Sequence, residues 1–163
     1  MSTINAVTLK STTIQHTNGT TALNIDSSGR VTKPNHPYFY VRSGRQADGF
    51  TDVVYPFNTI VHNDGNCFSL NTRFTAPVSG IYLFSTSPSY KQTNHNWAVY
   101  FRINGSMYAE TSRLIGTPPV SHSTANSTII LKLSVNDYVD LQSAADQFHN
   151  NESLNFFTGT LLH

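Results

Sequence analysis

From Tyr38 onward the chain is a succession of short runs in which apolar and polar residues alternate, separated by turn signals. In "WAVYFRI" the side chains of Trp97, Val99, Phe101 and Ile103 fall on one side and Ala98, Tyr100 and Arg102 on the other, the period of two of a strand with one buried face. Asn104-Gly105 then supplies the positive φ angles of a two-residue hairpin into "SMYAETS". "STIILKLSV" repeats the alternation, Ile129, Leu131, Leu133 and Val135 against Ile130, Lys132 and Ser134, and both runs suit an outer sheet with one solvent-facing side. The pattern predicts strands near 37–42, 52–61, 67–75, 80–87, 96–104, 106–113, 126–135, 138–144 and 153–162, with no helical period. The fold class that follows is all-β, an antiparallel sandwich or jelly roll.

Two runs break the alternation. "GIYLF" carries Ile81 and Leu83 on one face and Tyr82 and Phe84 on the other, and in "LNFFTGTLL" Leu154, Phe156, Phe157, Leu161 and Leu162 also occupy both faces. One sandwich core covers one face of a sheet. Ile81, Tyr82, Leu83, Phe84, Phe156, Phe157 and Leu161 are therefore candidates for either the core or a contact between sister subunits. The sequence leaves open which face does which, and whether the second is covered by another subunit or by the chain's own loops or arm.

Residues 1–36 have a different texture: no aromatic residue, and a Thr/Ser/Asn background dotted with Ile4, Leu9, Ile14, Leu23, Ile25 and Val31. Such a segment cannot build its own core. "TALNIDSSGRV" reads as a β-hairpin around Asp26–Gly29, and "KPNHP" as a short stiff linker, because its prolines restrict both their own φ and their predecessors. The chain thus divides into a β-rich docking arm, 1–36, with Ile4, Leu9, Ile14, Leu23 and Ile25 as its contact candidates, and a head, 37–163.

Composition narrows the function. Ten basic against nine acidic residues, with no basic cluster, argue against nucleic acid as a partner. No stretch approaches the ~18 apolar residues of a membrane-inserting helix, and the first residues lack the apolar run of a secretory signal. The single Cys67 cannot pair within the chain and is expected to be a small buried residue.

Seven histidines, at 16, 36, 62, 95, 122, 149 and 163, show no metal-binding spacing, and Asp64, Asp137, Asp140, Asp146 and Glu152 form no D-x-D-x-D calcium loop. No metal or other cofactor is expected. There is no G-x-S-x-G, phosphate-binding glycine loop or paired-carboxylate motif, so no catalytic residue is assigned and the chain is read as not an enzyme. Tyr55, Tyr90 and Phe148 read as exposed loop aromatics; Tyr90 and Phe148, in "SPSYKQTNHN" and "ADQFHNNES", are the candidates for surface contact with a glycan or receptor.

The strings "HNDGNCFSLNTRFTAPVSGIYLFS", "YFRINGSMY", "STIILKLSVNDYVDLQ" and "NFFTGTLLH" resemble, in order and spacing, the globular head of complement component one, subcomponent q, within the tumour necrosis factor-like superfamily. The resemblance implies a jelly roll that assembles as a homotrimer, with "GIYLFS" and "NFFTGTLL" in its inner sheet. The family's usual Gly-Asp is replaced by Asn136-Asp137, and Asn also tolerates a positive φ. There is no Gly-X-Y stalk; the arm, "TLKSTTIQHTNGTTALNIDSSGRV", is instead similar to a segment found at the starts of small structural proteins of bacteriophages, notably marine ones. Together these imply a homotrimeric virion surface protein, a capsid decoration or spike docked through its arm onto other capsid or tail proteins. It would be made in the host cytoplasm and located on the virion. The alternatives are a short tail-fibre tip or receptor-binding protein, and a free lectin- or cytokine-like module.

Overall fold

A computed structural model describes residues 11–43, 53–70, 72–91, 97–114, 122–124, 126–143 and 153–163. Two compact units result, Met1–His36 and Pro37–His163. In the first, β1 (Thr13–Gln15), β2 (Thr21–Ile25) and β3 (Val31–Thr32) form an antiparallel sheet in that order. The Asp26 carboxylate shapes the β2–β3 turn, accepting from the backbone N–H groups of Ser28 and Arg30 and, at 2.6 Å, from Arg30 Nε.

The second unit is a sandwich of two main antiparallel sheets. One has the order β14-β9-β16-β4-β6, from β4 (Tyr38–Arg42), β6 (Thr59–Asp64), β9 (Gly80–Ser87), β14 (Ser127–Leu133) and β16 (Phe156–Leu161). The other runs β12-β11-β15-β8-β7, with β5 (Val53–Val54) also pairing with β15; its members are β7 (Phe68–Ser69), β8 (Arg73–Thr75), β11 (Trp97–Ile103), β12 (Ser106–Leu114) and β15 (Tyr138–Ser143). A short pair, β10 (Ser89–Lys91) with β13 (His122–Thr124), was not foreseen in the pattern.

Several expected strands are shorter for local reasons. The 52–61 run is interrupted at Pro56, which has no N–H for a ladder, and 67–75 folds back as the β7–β8 hairpin, Ser69 opposite Arg73. Val135 leaves β14 for a turn in which Asn136 takes φ 71°, a left-handed conformation that Asn tolerates. Asn104 and Gly105 have φ 52° and 79°, as a tight hairpin demands.

One assignment is corrected. Ser127–Leu133 does not join "WAVYFRI" in an outer sheet; it pairs along its whole length with β9, the "GIYLF" strand. Alternation reports which side of a strand is buried, not which strand lies beside it, so the two were indistinguishable by pattern.

The core is dominated by aromatic rings. Phe39 centres on it, 4.9 Å from both Phe68 and Phe157 and 5.4 Å from Phe74, and Phe84, Tyr82 and Phe101 complete the layer. Gly159 explains itself here: a Cβ at that position would lie 2.5 Å from Phe84 Cδ1 and 2.6 Å from Phe39 Cε1. Gly159→Ala is therefore expected to destabilise the head by about 1–3 kcal/mol through overpacking, read as a lower urea midpoint at unchanged slope.

Tyr55, read from sequence as an exposed loop aromatic, is 1% exposed. Its hydroxyl donates to Asn155 Oδ1 at 2.6 Å, and the same oxygen accepts from the Ser89 N–H. A buried Tyr needs such a partner, and this one lies 100 residues away in sequence. Cys67 is buried as expected, its thiol facing Asp64 O at 3.4 Å, and burial pushes its pKa up to about 11, which leaves it inert at neutral pH.

Candidate interaction surface

The alternation in β9 sorts the candidates. Tyr82, Phe84 and Phe157 are fully buried in the core, and Leu161 packs against its margin. Ile81, Leu83 and Phe156 point the other way and are half-buried on the outward face of the five-stranded sheet. The register extends that face strand by strand: Ile130 in β14 is opposite Leu83, which is opposite Thr160 in β16, and Thr160 is opposite Tyr38 in β4. The next row runs Thr128, Ser85, Thr158, Tyr40 and His62.

The middle of this face is apolar or hydroxylic and its charges lie at the rim. Lys132 is on the edge strand β14, Asp64 on the edge strand β6, and Arg42 closes β4, its guanidinium 5.2 Å from the centre of the Tyr40 ring and its Nε donating to Tyr40 Oη at 3.2 Å. Tyr40 also lies 5.9 Å from Phe156, and Tyr38 5.8 Å from His62. Ile130 is 60% exposed, large for a β-branched aliphatic in a sheet.

A second apolar surface lies on the adjoining edge of the other sheet, where Met107 and Tyr108 of β12 are each 61% exposed. The β11–β12 register shifts at Tyr108, since Phe101 is opposite Ala109 and Arg102 opposite Met107. The bulge interrupts the ladder and discourages strand addition, so this edge presents side chains rather than hydrogen-bonding backbone.

Sequence reasoning missed Tyr38, Tyr40, Ile130, Met107 and Tyr108. "YFYVR" holds the same signal as "GIYLF", bulky residues on both faces. Ile130 reads as an ordinary exposed residue until its strand is laid beside β9. Of the other candidates, Ile14, Leu23 and Ile25 lie in the arm sheet and Tyr90 in β10 opposite Ser123; Ile4, Leu9 and Phe148 lie outside the described residues.

Of the carboxylates weighed as ion ligands, Asp137 and Asp140 are already engaged, and Asp146 and Glu152 lie outside the described residues. Asp140 is buried and clasped by Arg102, Nε to Oδ1 at 2.6 Å and Nη2 to Oδ2 at 2.9 Å, a fork that raises the Arg102 pKa further. Asp137 accepts from Asn104 Nδ2 at 2.8 Å and from the Ser134 N–H at 2.7 Å. Among the described residues no cluster of His, Cys, Asp or Glu could hold a metal.

The Asn104 bond, followed by the Ser134 bond, holds the Asp137 carboxyl below its ordinary 3.8. A lowered folded-state value means stability present above about 3.8 and lost as pH falls through that lower value. The stability gap between the native chain and Asp137→Asn is expected to be constant from neutral pH down to about pH 4 and to shrink below it, as urea midpoints across that window would show.

Among the described residues no helix is long and apolar enough to cross a membrane. A comparison with curated proteins finds no significant match. Among solved structures, the globular domain of zebrafish complement 1qA protein superposes with a TM-score of 0.63 at 16% identity, over 78% of this chain and 98% of that one. Murine APRIL does so with a TM-score of 0.60 at 13% identity in its pH 8.0 crystal structure, over 78% and 99%. Both likenesses concern the jelly-roll fold. C1q and tumour necrosis factor-like domains are non-enzymatic ligand-binding or structural modules. The C1q domain matches residues 38–162, and the chain belongs to the C1q domain family.

Proposed function

We propose that the chain is a homotrimeric structural protein of a bacteriophage virion surface, a capsid decoration or short spike, with the head as its trimerising and outward-facing part and the arm as its attachment. The observation that carries the trimer is the outward face of the five-stranded sheet, where Tyr38, Tyr40, Ile81, Leu83, Ile130 and Phe156 are gathered by register with charges only around them. This face and the Met107/Tyr108 edge are two different surfaces. An edge of one copy laid on the face of the next is a heterologous contact, which closes when the rotation between copies is a third of a turn. Burial at about 25 cal/mol per Å² is worth several kcal/mol per chain before association costs.

The virion assignment rests on the arm, whose Thr/Ser/Asn-rich string resembles the starts of phage structural proteins. The test is the composition of purified particles. Hundreds of copies per particle are expected, together with loss from particles and retention of the trimer when residues 1–36 are deleted. A few copies, in tails, would instead mean a fibre tip or receptor-binding protein, and none would mean a free ligand-binding module.

A further inference from the structure

We infer that the arm's aliphatic sheet face is covered by the same face of the two sister chains, so that three arms form one β-stalk. This rests on the trimer reading above and assigns a partner to residues there treated only as docking candidates. The register puts Ile14 opposite Leu23 and Ile25 opposite Val31, while Leu23 and Ile25, two apart in β2, share a side. One face of the three-stranded sheet therefore collects Ile14, Leu23, Ile25 and Val31. The other carries Thr13, Asn24 and Thr32. Val31 is 57% exposed and Ile14 44%, so the face is unfinished, and a sheet this small needs its apolar face packed to be stable.

Three observations favour sister chains over a foreign surface. The chain enters the head at Pro37, whose carbonyl accepts from the Leu161 N–H, and passes directly into Tyr38 and Tyr40 on the proposed trimer face. Three entry points thus converge beside one axis, and tethering gives the arms an effective concentration on the order of millimolar. Second, any residue at a threefold axis meets copies of itself, which penalises charge, and this face carries none. At the β2–β3 turn the Arg30 guanidinium is paired with Asp26, Nε lying 2.6 Å from Oδ2. Third, its four side chains are short and aliphatic, of a size to interdigitate across packed sheets.

Ile14, Leu23 and Ile25 then hold the stalk together, and attachment to the particle falls to its Thr/Asn face. The test uses the full chain and a bismaleimide of about 10 Å reach, the spacing of packed sheets. The unsubstituted protein, whose only thiol is the buried Cys67, serves as blank. Leu23→Cys and, at the more exposed position, Val31→Cys are expected to give at least about tenfold more covalent dimer than Asn24→Cys and Thr32→Cys on the opposite face. The native mass is measured in parallel. A three-chain mass with equal linking from both faces would overturn the stalk alone and leave the aliphatic face to a particle protein. A single-chain mass would overturn the trimer reading with it.

Discussion

Phe39→Ala is expected to destabilise the head by about 3–5 kcal/mol, the range for removing a fully buried aromatic side chain. Against a typical domain stability of about 5–15 kcal/mol this is a large share. The reason is position: the ring stacks on Phe68 and Phe74 and meets Phe157 edge-on, so its loss opens a cavity between the two sheets, lined by rings too constrained to collapse into it. Tyr40→Ala, one residue on and pointing outward, should leave the stability of a dissociated subunit nearly unchanged. Urea unfolding at a concentration where the subunits are separated would read both, with a lower midpoint for the first only; equal effects would mean that the faces of β4 are misassigned.

Leu83→Asp is expected to abolish the trimer while preserving the fold. Leu83 lies in β9, an interior strand of the five-stranded sheet, between Ile130 and Thr160, so the substitution places a carboxylate in the middle of the apolar face. In the face-to-edge trimer each carboxylate would be desolvated against the neighbour's edge; a loss above about 2 kcal/mol per contact, typical of a central interface position, is enough to dissociate a micromolar assembly. Size-exclusion chromatography with light scattering should return one chain mass, and circular dichroism an unchanged β spectrum. A variant that unfolds would mean that Leu83 belongs to the core; one that stays trimeric would move the interface elsewhere.

How much of this was written in the sequence depends on the distance over which each feature is decided. The Asn104-Gly105 hairpin is set by two residues and was legible, as was the core side of "WAVYFRI" at Val99 and Phe101; its other side is not open to solvent as the pattern suggests, Ala98 being buried and Arg102 clasping Asp140. The two-faced "GIYLF" was legible as a puzzle, and the structure resolves it into Tyr82 and Phe84 inward, Ile81 and Leu83 outward. Gly159 could be recognised as part of a family string, but its cause, two rings pressing on the strand from within, needs the packed core. What was misread depends on long-range pairing. Tyr55 looks exposed until Asn155 is brought to it, Asp140 looks available until Arg102 is placed opposite on β11, and Ser127–Leu133 looks like an outer strand until it is laid beside β9. The arm falls between: Leu23 and Ile25 alternate visibly, but only the register adds Ile14 and Val31 to their side and makes a face of them.

Sedimentation equilibrium of the full chain at micromolar concentration tests the central claim most directly. The proposed face-to-edge assembly predicts a single species of three chain masses, stable to dilution across that range. A homogeneous species of one chain mass would contradict it.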